Sequence, residues 1–330
     1  MSSGISIPYH LRQNKAVERA LFIYLLRKLN KVTNISDYQY IGFGGPFLED
    51  FKHLHRELKI NNMISLEINE NVRKRQIFNK PISCVNFLDK ATCSSDFIAQ
   101  HNFDKKTIIW LDYVSFKDIP NQLSDIFSLV SKLSNKDILK ITMNANPANL
   151  GKPESTSSQS LPTYRYEKIK ELLTEDYCPY AIKETDITPK HFPNVIIQSI
   201  HRAILKGLNG NNNIKFLPLS NFCYSDGQQM ITLTGILIDP EEEFNLINNA
   251  KLQEWPYFNS SWEKHNYIDL PALSTKERLF IESYLPEASH EDIINELGYW
   301  IGDKERDAKE SMKNFVDYYR TTPWFGRVIL

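Results

Sequence analysis

Apolar side chains recur along the chain with two periods that take turns. Between residues 14 and 30, Val17, Ala20, Leu21, Leu25 and Leu29 fall near the i, i+4, i+8 spacing of one buried stripe, which predicts a helix. Asp37 then precedes a short apolar run, Tyr38 to Phe43, that breaks into Gly44-Gly45-Pro46, a strand running into a glycine turn. Phe47, Phe51, Leu54 and Leu58 follow at i, i+4, i+7 and i+11, with Glu49, Lys52, His55 and Arg56 on the other side. The unit is therefore strand, glycine turn, helix. The alternation repeats: a strand at Met63 to Ile68, a short basic helix at Asn71 to Asn79, a strand at Ser83 to Leu88 and a helical turn at Ser95 to His101. Thr107 to Leu111 is a continuous apolar run of the kind buried on both faces of a sheet, and it ends at Asp112-Tyr113. A helix at Leu123 to Leu133 and a strand at Asp137 to Met143 complete five strand-helix alternations, which predict an α/β fold with a doubly wound, mostly parallel sheet.

The stretch from Ala148 to Pro162 is rich in Ser, Pro and Gly and reads as an exposed loop. Helices follow at Tyr164 to Thr174 and near Asn194 to Gly207. Two strands, Lys215 to Phe222 and Met230 to Ile238, flank Ser225-Asp226-Gly227, whose Asp-Gly pair signals a β-hairpin, so the sheet is expected to end in an antiparallel pair. Past Pro240 the texture changes. Trp255 to Leu273 is aromatic-rich and irregular, Ser274-x-x-Glu277 is a capping box before a helix to Tyr284, and His290 to Tyr299 and Asp303 to Tyr319 read as two more helices. The expected organisation is a core over 1–240 and a helical C-terminal module over 241–330, whose aromatic end at Phe315 to Phe325 either packs on the sheet or marks a protein partner's contact.

Composition narrows the class. With 39 Lys and Arg against 40 Asp and Glu in 330 residues, no global positive field exists, which excludes a purely electrostatic nucleic-acid binder but not a local basic face such as Arg73-Lys74-Arg75. Cys84, Cys93, Cys178 and Cys223 lack zinc-pair spacing and are too few to staple the chain, so reduced thiols in a cytoplasmic protein are expected. The most apolar run, Ala20 to Leu26, is far shorter than the ~20 residues of a membrane span. No His, Asp and Cys cluster suggests a metal, and no Ser or Cys sits in a nucleophile-elbow pattern.

Candidate chemistry gathers at the ends of the expected strands. Glycines between a strand and a helix, here Gly42, Gly44 and Gly45, let backbone approach a nucleotide-like ligand, or simply make a tight turn. Phe47 stands where the dinucleotide fingerprint has its last glycine. Glu67, 25 residues past Gly42 at the end of the second strand, either accepts hydrogen bonds from ribose hydroxyls or caps the Asn69-Glu70 turn. Asn86 lies where an adenine edge is read, or forms a turn. Asp112 is a base or orienting group, or caps the next turn, and Tyr113 offers a ring to a planar substrate. Asn144 and Asn146 can hydrogen-bond a substrate or start an Asn-Pro turn. Arg12 and Lys15, ahead of the first helix, can close over a ligand carboxylate or simply be a solvated helix start.

Tyr40-Ile41-Gly42-Phe43-Gly44-Gly45, Glu67, the polar third-strand end, Asp112-Tyr113 and the terminal hairpin together resemble a class I S-adenosylmethionine-dependent methyltransferase with a Rossmann-like core. More narrowly, His10-Leu11-Arg12, Asn14-Lys15-Ala16-Val17 and Trp110-Leu111-Asp112-Tyr113 resemble a group of bacterial proteins labelled putative O-methyltransferases. The resemblance covers about residues 8 to 240. It implies S-adenosylmethionine as cofactor, with Gly42, Gly44 and Gly45 approaching it, Glu67 on its ribose, Asn86 near its adenine and Asp112 near the transferred methyl. Two positions depart from the pattern: Tyr40 replaces an acidic residue and Pro46 a third glycine, which leaves the cofactor's amino group without a common partner. The acceptor, whether small molecule, protein or nucleic acid, is open, and a member that keeps the fold as a catalytically silent binder is the rival expectation.

Overall fold

The computed structural model describes residues 12–211, 213–225 and 227–324. His10, Leu11 and the Asp226 of the hairpin turn lie outside them. The described residues open with α1 (Gln13–Leu29), then β1 (Gln39–Gly42), α2 (Glu49–Leu58), β2 (Asn62–Ser65), α3 (Glu70–Phe78), β3 (Val85–Phe87), α4 (Ser94–Gln100), β4 (Thr107–Asp112), α5 (Ile119–Val130) and β5 (Ile138–Asn144). Next come α6 (Leu161–Tyr177), α7 (Phe192–Gly207), β6 (Lys215–Ser225), β7 (Gln229–Ile238), α8 (Glu243–Asn249), β8 (Asn266–Ile268), α9 (Thr275–Tyr284), α10 (His290–Leu297) and α11 (Glu305–Tyr318). The sheet has eight strands in the order β3-β2-β1-β4-β5-β7-β6-β8. Only β7 runs against its neighbours, pairing antiparallel with both β5 and β6. The architecture is thus the α/β doubly wound sheet with an antiparallel hairpin that the alternating periods predict.

All seven residues of β5 are buried, as a strand covered on both faces requires. One face of the sheet packs with α1, α2 and C-terminal residues including Ile268, Ile281, Ile293 and Phe315 into one core. The other face packs with α4 to α7 into a second. Local chemistry sets several boundaries. The helix after Ser274 is capped reciprocally by Ser274 and Glu277, as its capping box predicts, and Ser289 with Asp292 does the same for α10. The helix expected from Leu123 begins earlier, at Ile119, because Pro120 sits in the first turn, where its missing N–H is not needed. Pro218 interrupts β6 at a bulge, the place where a strand tolerates a residue without a donor.

The stretch read as irregular contains β8, which pairs parallel with β6 from Phe222 to Tyr224 and carries the sheet one strand past the hairpin. It also ties down the start of α1. Gln13 Nε2 donates to the carbonyls of Leu270 (3.0 Å) and Pro271 (3.2 Å), and Asn14 Oδ1 accepts from Leu270 N (3.0 Å). Among the described residues no helix is long and apolar enough to cross a membrane.

Candidate functional site

The strand order reverses around β1, which lies between β2 and β4, and ligands of open α/β sheets bind outside the carboxyl ends of the strands at such a point. Gly42, the last residue of β1, is in register with Ser65 on one side and Trp110 on the other. Two residues beyond that row stand Gly44, Glu67 and Asp112. The same edge receives the start of α1, because Asn14 Nδ2 donates to the carbonyl of Ser225 at the end of β6 (3.2 Å). Arg12, half-buried, and Lys15, buried, flank that anchor. Asn86 stands on the outermost strand, β3, opposite Ile64, with its side chain exposed.

The glycine turn answers first to the chain's own packing. A Cβ on Gly44 would lie 2.2 Å from Leu48 Cδ2 and 2.9 Å from Ser65 Oγ, and one on Gly42 would lie 2.6 Å from the Tyr40 hydroxyl. Gly45 takes φ +51°, a conformation open to residues without a Cβ. The turn is also latched from α3: the fully buried Gln76 donates to the carbonyl of Gly45 (2.9 Å) and accepts from Ser65 Oγ (3.2 Å), while Asn79 donates to the carbonyl of Pro46 (2.8 Å). Sequence reasoning missed Gln76, since one Gln inside the basic run 71–79 carries no periodic signal.

Glu67 Oε1 accepts from Asn69 N (2.8 Å), the turn-capping bond that was one of its two readings. Burial raises its carboxyl above the usual range, against the backbone N–H groups of Asn69 and Ile68. Asp112 shows only 10% of its side chain to solvent; its Oδ2 is 3.9 Å from Arg19 Nη2. Its Oδ1 is buried with no hydrogen-bond donor in reach among the described residues.

Arg19 was not anticipated. From α1 it reaches Asp50 on α2 through Nε (2.7 Å) and Nη2 (3.2 Å), with its guanidinium 4.8 Å from the Trp110 ring centre. Burial works against its charge, but Asp50, Tyr224 and Asp112 outweigh it and hold the group firmly protonated. Beside it Lys140, in the middle of β5 with no exposure, pairs with Glu18 of α1, and its ammonium sits 4.1 Å from the ring centres of both Phe22 and Trp110. Burial lowers the Lys140 pKa, and Glu18 opposes that shift. Trp110 Nε1 donates to Thr142 Oγ1 (3.0 Å), itself 2.9 Å from Thr232 Oγ1. The signal for this cluster was a lysine inside a strand that must be buried; a cation there needs a partner.

The other candidates are engaged elsewhere. Tyr113 turns to the opposite face from Asp112, buried, its hydroxyl donating to Asp125 Oδ2 (2.8 Å) and its ring edge-on to Phe43 at 5.7 Å. Asn144 Oδ1 accepts from Asn146 N (3.0 Å) and Asn149 Nδ2 (2.9 Å); Asn146 Oδ1 caps the following turn at Ala148 N (2.9 Å). In the basic run, Arg73 bonds to Glu70 (2.9 Å) and to the carbonyls of Leu88 (2.9 Å) and Asp89 (3.0 Å), and Arg75 lies over Phe47. Among the described residues no group of His, Cys, Asp and Glu could hold a metal ion.

The family model described as "Putative O-methyltransferase" matches residues 7–330. The chain belongs to that family. Its fold is Rossmann-like. Among solved structures, it is similar to Trm1 from Pyrococcus horikoshii in complex with S-adenosyl-L-methionine at 11% identity and a TM-score of 0.47, covering 73% of this chain and 58% of that one. It is similar to the N-methyltransferase NodS from Bradyrhizobium japonicum at 12% identity and a TM-score of 0.35, covering 68% and 97%. The chain therefore spans just over half the length of Trm1. No curated protein matches the sequence.

Proposed function

We propose that the protein transfers a methyl group from S-adenosylmethionine to an oxygen of its acceptor, at the switch point around β1. One observation carries this reading: two carboxylates, Glu67 and Asp112, each follow by two residues the partners that flank Gly42 in the sheet, and one oxygen of Asp112 is buried without a donor among the described residues. When bound, the cofactor supplies a sulfonium methyl that departs by in-line displacement as its S–C electron pair returns to sulfur.

The chain's contribution is to hold and orient. Gly42, Gly44 and Gly45 let backbone pass close to the ligand. Glu67, half-buried with one oxygen already held by the Asn69 turn, presents its carboxylate to the ribose hydroxyls, and Asn86 stands near the adenine. Arg12 and Lys15, at the same sheet edge, face the ligand's carboxylate. Asp112 faces its reacting end. Asn144 and Asn146, locked by their own hydrogen bonds, border the acceptor rather than react, and Tyr113 on the opposite face holds the end of β4 through Asp125. Catalysis then comes mainly from placing acceptor and methyl about 3 Å apart.

A second reading has one observation in its favour: Gly42 and Gly44 are required by Tyr40, Leu48 and Ser65 whether or not a ligand binds, as expected of a fold kept for binding a protein or nucleic acid without catalysis. Calorimetry with S-adenosylmethionine and S-adenosylhomocysteine tests the first reading. Micromolar binding that is lost in Glu67→Ala supports it, and no binding at millimolar ligand sinks it. Binding without transfer of labelled methyl to any component of a cell extract supports the second.

A further inference from the structure

We infer that the outward face of α3 is a docking track for a single-stranded nucleic acid, which names the class of the methyl acceptor. The inference rests on the proposed methyl transfer for that role alone, since binding of the strand needs no cofactor.

α3 has two faces with separate duties. Inward, the buried Gln76, with Asn79 at the C-terminal cap, latches the glycine turn. Outward, Asn71, Lys74, Arg75 and Phe78 fall at i, i+3, i+4 and i+7, one stripe of a helix, and all four are exposed. Seven residues at the helical rise make the stripe about 10 Å long. Its first residue is tied to the candidate site: Asn71 N donates to Asn69 Oδ1 (2.9 Å), and Asn69 N donates to Glu67 (2.8 Å). The track thus starts beside Glu67 and leads away from the switch point along α3.

Charge and shape select the ligand. The whole chain carries a net charge of −1, yet residues 71–80 hold the cations Arg73, Lys74, Arg75 and Lys80 and no acid. Arg73 takes up the nearby acids: it bonds to Glu70 (2.9 Å), and Asp89 also steadies its charge. Lys74, Arg75 and Lys80, all exposed, form no ion pair among the described residues. The Arg75 guanidinium lies 4.9 Å from the ring centre of Phe47, and a guanidinium engaged by its face keeps its in-plane N–H donors for phosphate. Among these cations the Phe78 ring is 89% exposed. A single strand uses both features at once, its phosphates meeting the cations and a base stacking on the ring. An acidic peptide matches the charge but not the ring, whose negative π-face repels carboxylate. A duplex keeps its base faces stacked inside and leaves Phe78 unused.

The test measures binding of a fluorescein-labelled single-stranded RNA to the full chain by anisotropy across a salt series. Three phosphate contacts predict a slope of log affinity against log salt of about −2, at about −0.7 per contact. Lys74→Gln/Lys80→Gln should bring that slope to about −0.7, the value for the one contact left. Phe78→Ala should weaken binding roughly 5- to 100-fold at any one salt concentration without changing the slope, since stacking releases no counterions. A merely structural role would not split affinity from salt dependence in this way. All three positions are exposed, so melting temperatures should match wild type, and the wild-type comparisons need no variant. The wild type should prefer the strand roughly tenfold or more over the duplex of the same sequence and over a poly-glutamate of equal charge. Equal affinity for either competitor overturns the inference, as does a wild-type slope near zero, a Phe78→Ala variant that binds as tightly as wild type, or no binding at low salt. Calorimetry with S-adenosylhomocysteine separates the two readings. If the strand binds and S-adenosylhomocysteine does not, the methyl-transfer reading falls and the track stands as a binding site; if S-adenosylhomocysteine binds and the strand does not, only this inference falls.

Discussion

Replacing Lys140 with methionine removes the cation from the centre of β5 while keeping the length of the side chain. The ammonium is fully buried, paired with Glu18 and enclosed by the rings of Phe22 and Trp110, each centred 4.1 Å away. Methionine fills that space acceptably between two aromatic rings, so little packing is lost. The damage falls on Glu18, whose side chain is 2% exposed and whose Oε2 already lacks a donor among the described residues. Breaking a buried pair by deleting one partner typically costs about 3–5 kcal/mol, because the survivor is an uncompensated buried charge. Lys140→Met should therefore lose about 4 kcal/mol in equilibrium urea denaturation, with Trp110 as a nearby fluorescent reporter. The companion Glu18→Gln/Lys140→Met variant removes the stranded charge and should recover about 2 kcal/mol of that loss, the remainder reflecting a buried amide without its partner. A loss under about 1 kcal/mol in Lys140→Met, or a double variant no more stable than the single one, refutes the reasoning.

Further outcomes concern the latch, the turn and a histidine. Gln76→Leu strands the Gly45 carbonyl and the Ser65 hydroxyl together, so it should cost about 2–4 kcal/mol by urea denaturation and weaken binding of S-adenosylhomocysteine by calorimetry; unchanged affinity would show that the turn holds its shape alone. Gly44→Ala forces a methyl to 2.2 Å from Leu48 Cδ2 and should lower stability by roughly 1–3 kcal/mol in the same assay, with an unaltered midpoint counting against the packing described. His265 is held neutral: Nδ1 lies 2.8 Å from Asn194 Oδ1, Nε2 is buried without a partner among the described residues, and burial pushes its pKa down to about 4. Between pH 6.5 and pH 4 the unfolded chain binds a proton there that the folded chain does not, so stability falls as pH falls through that window, by up to about 3 kcal/mol. Melting temperature against pH should flatten there in His265→Gln, and parallel curves would contradict the assignment.

Much of the fold is written in runs long enough to show a period. β4 from Ile108 to Leu111 is apolar, and β5 mostly so, because both faces are covered, and the capping box at Ser274 states where α9 begins. The three residues of β8 are too few for any period and become a strand only because β6 offers its edge. The candidate site divides in the same way. Glu67 and Asp112 are legible because a strand end is where an apolar run breaks, so sequence order alone places them at one edge. Arg19, Asp50 and Gln76 are invisible to that logic: Arg19 and Asp50 lie 31 residues apart, and nothing in either segment announces the other. Tyr113 shows the limit from the other side. It is adjacent to Asp112, yet the pleat sends it to the opposite face, where Asp125 takes its hydroxyl.

The bonds from Gln13 and Asn14 to residues 270 and 271 set a timetable for synthesis. They join positions 256 to 258 residues apart. At ribosomal rates of about 5–20 residues per second, α1 waits roughly 13–50 s between its own emergence and that of the segment that seats its first turn. Through that interval the apolar stripe of α1 lacks part of its cover, and once β6 has emerged its outer edge stays unpaired until β8 follows, the two kinds of surface on which nascent chains misassociate. The wall beside the glycine turn is thus begun by α1 and finished only once a segment 256 residues further on has been made.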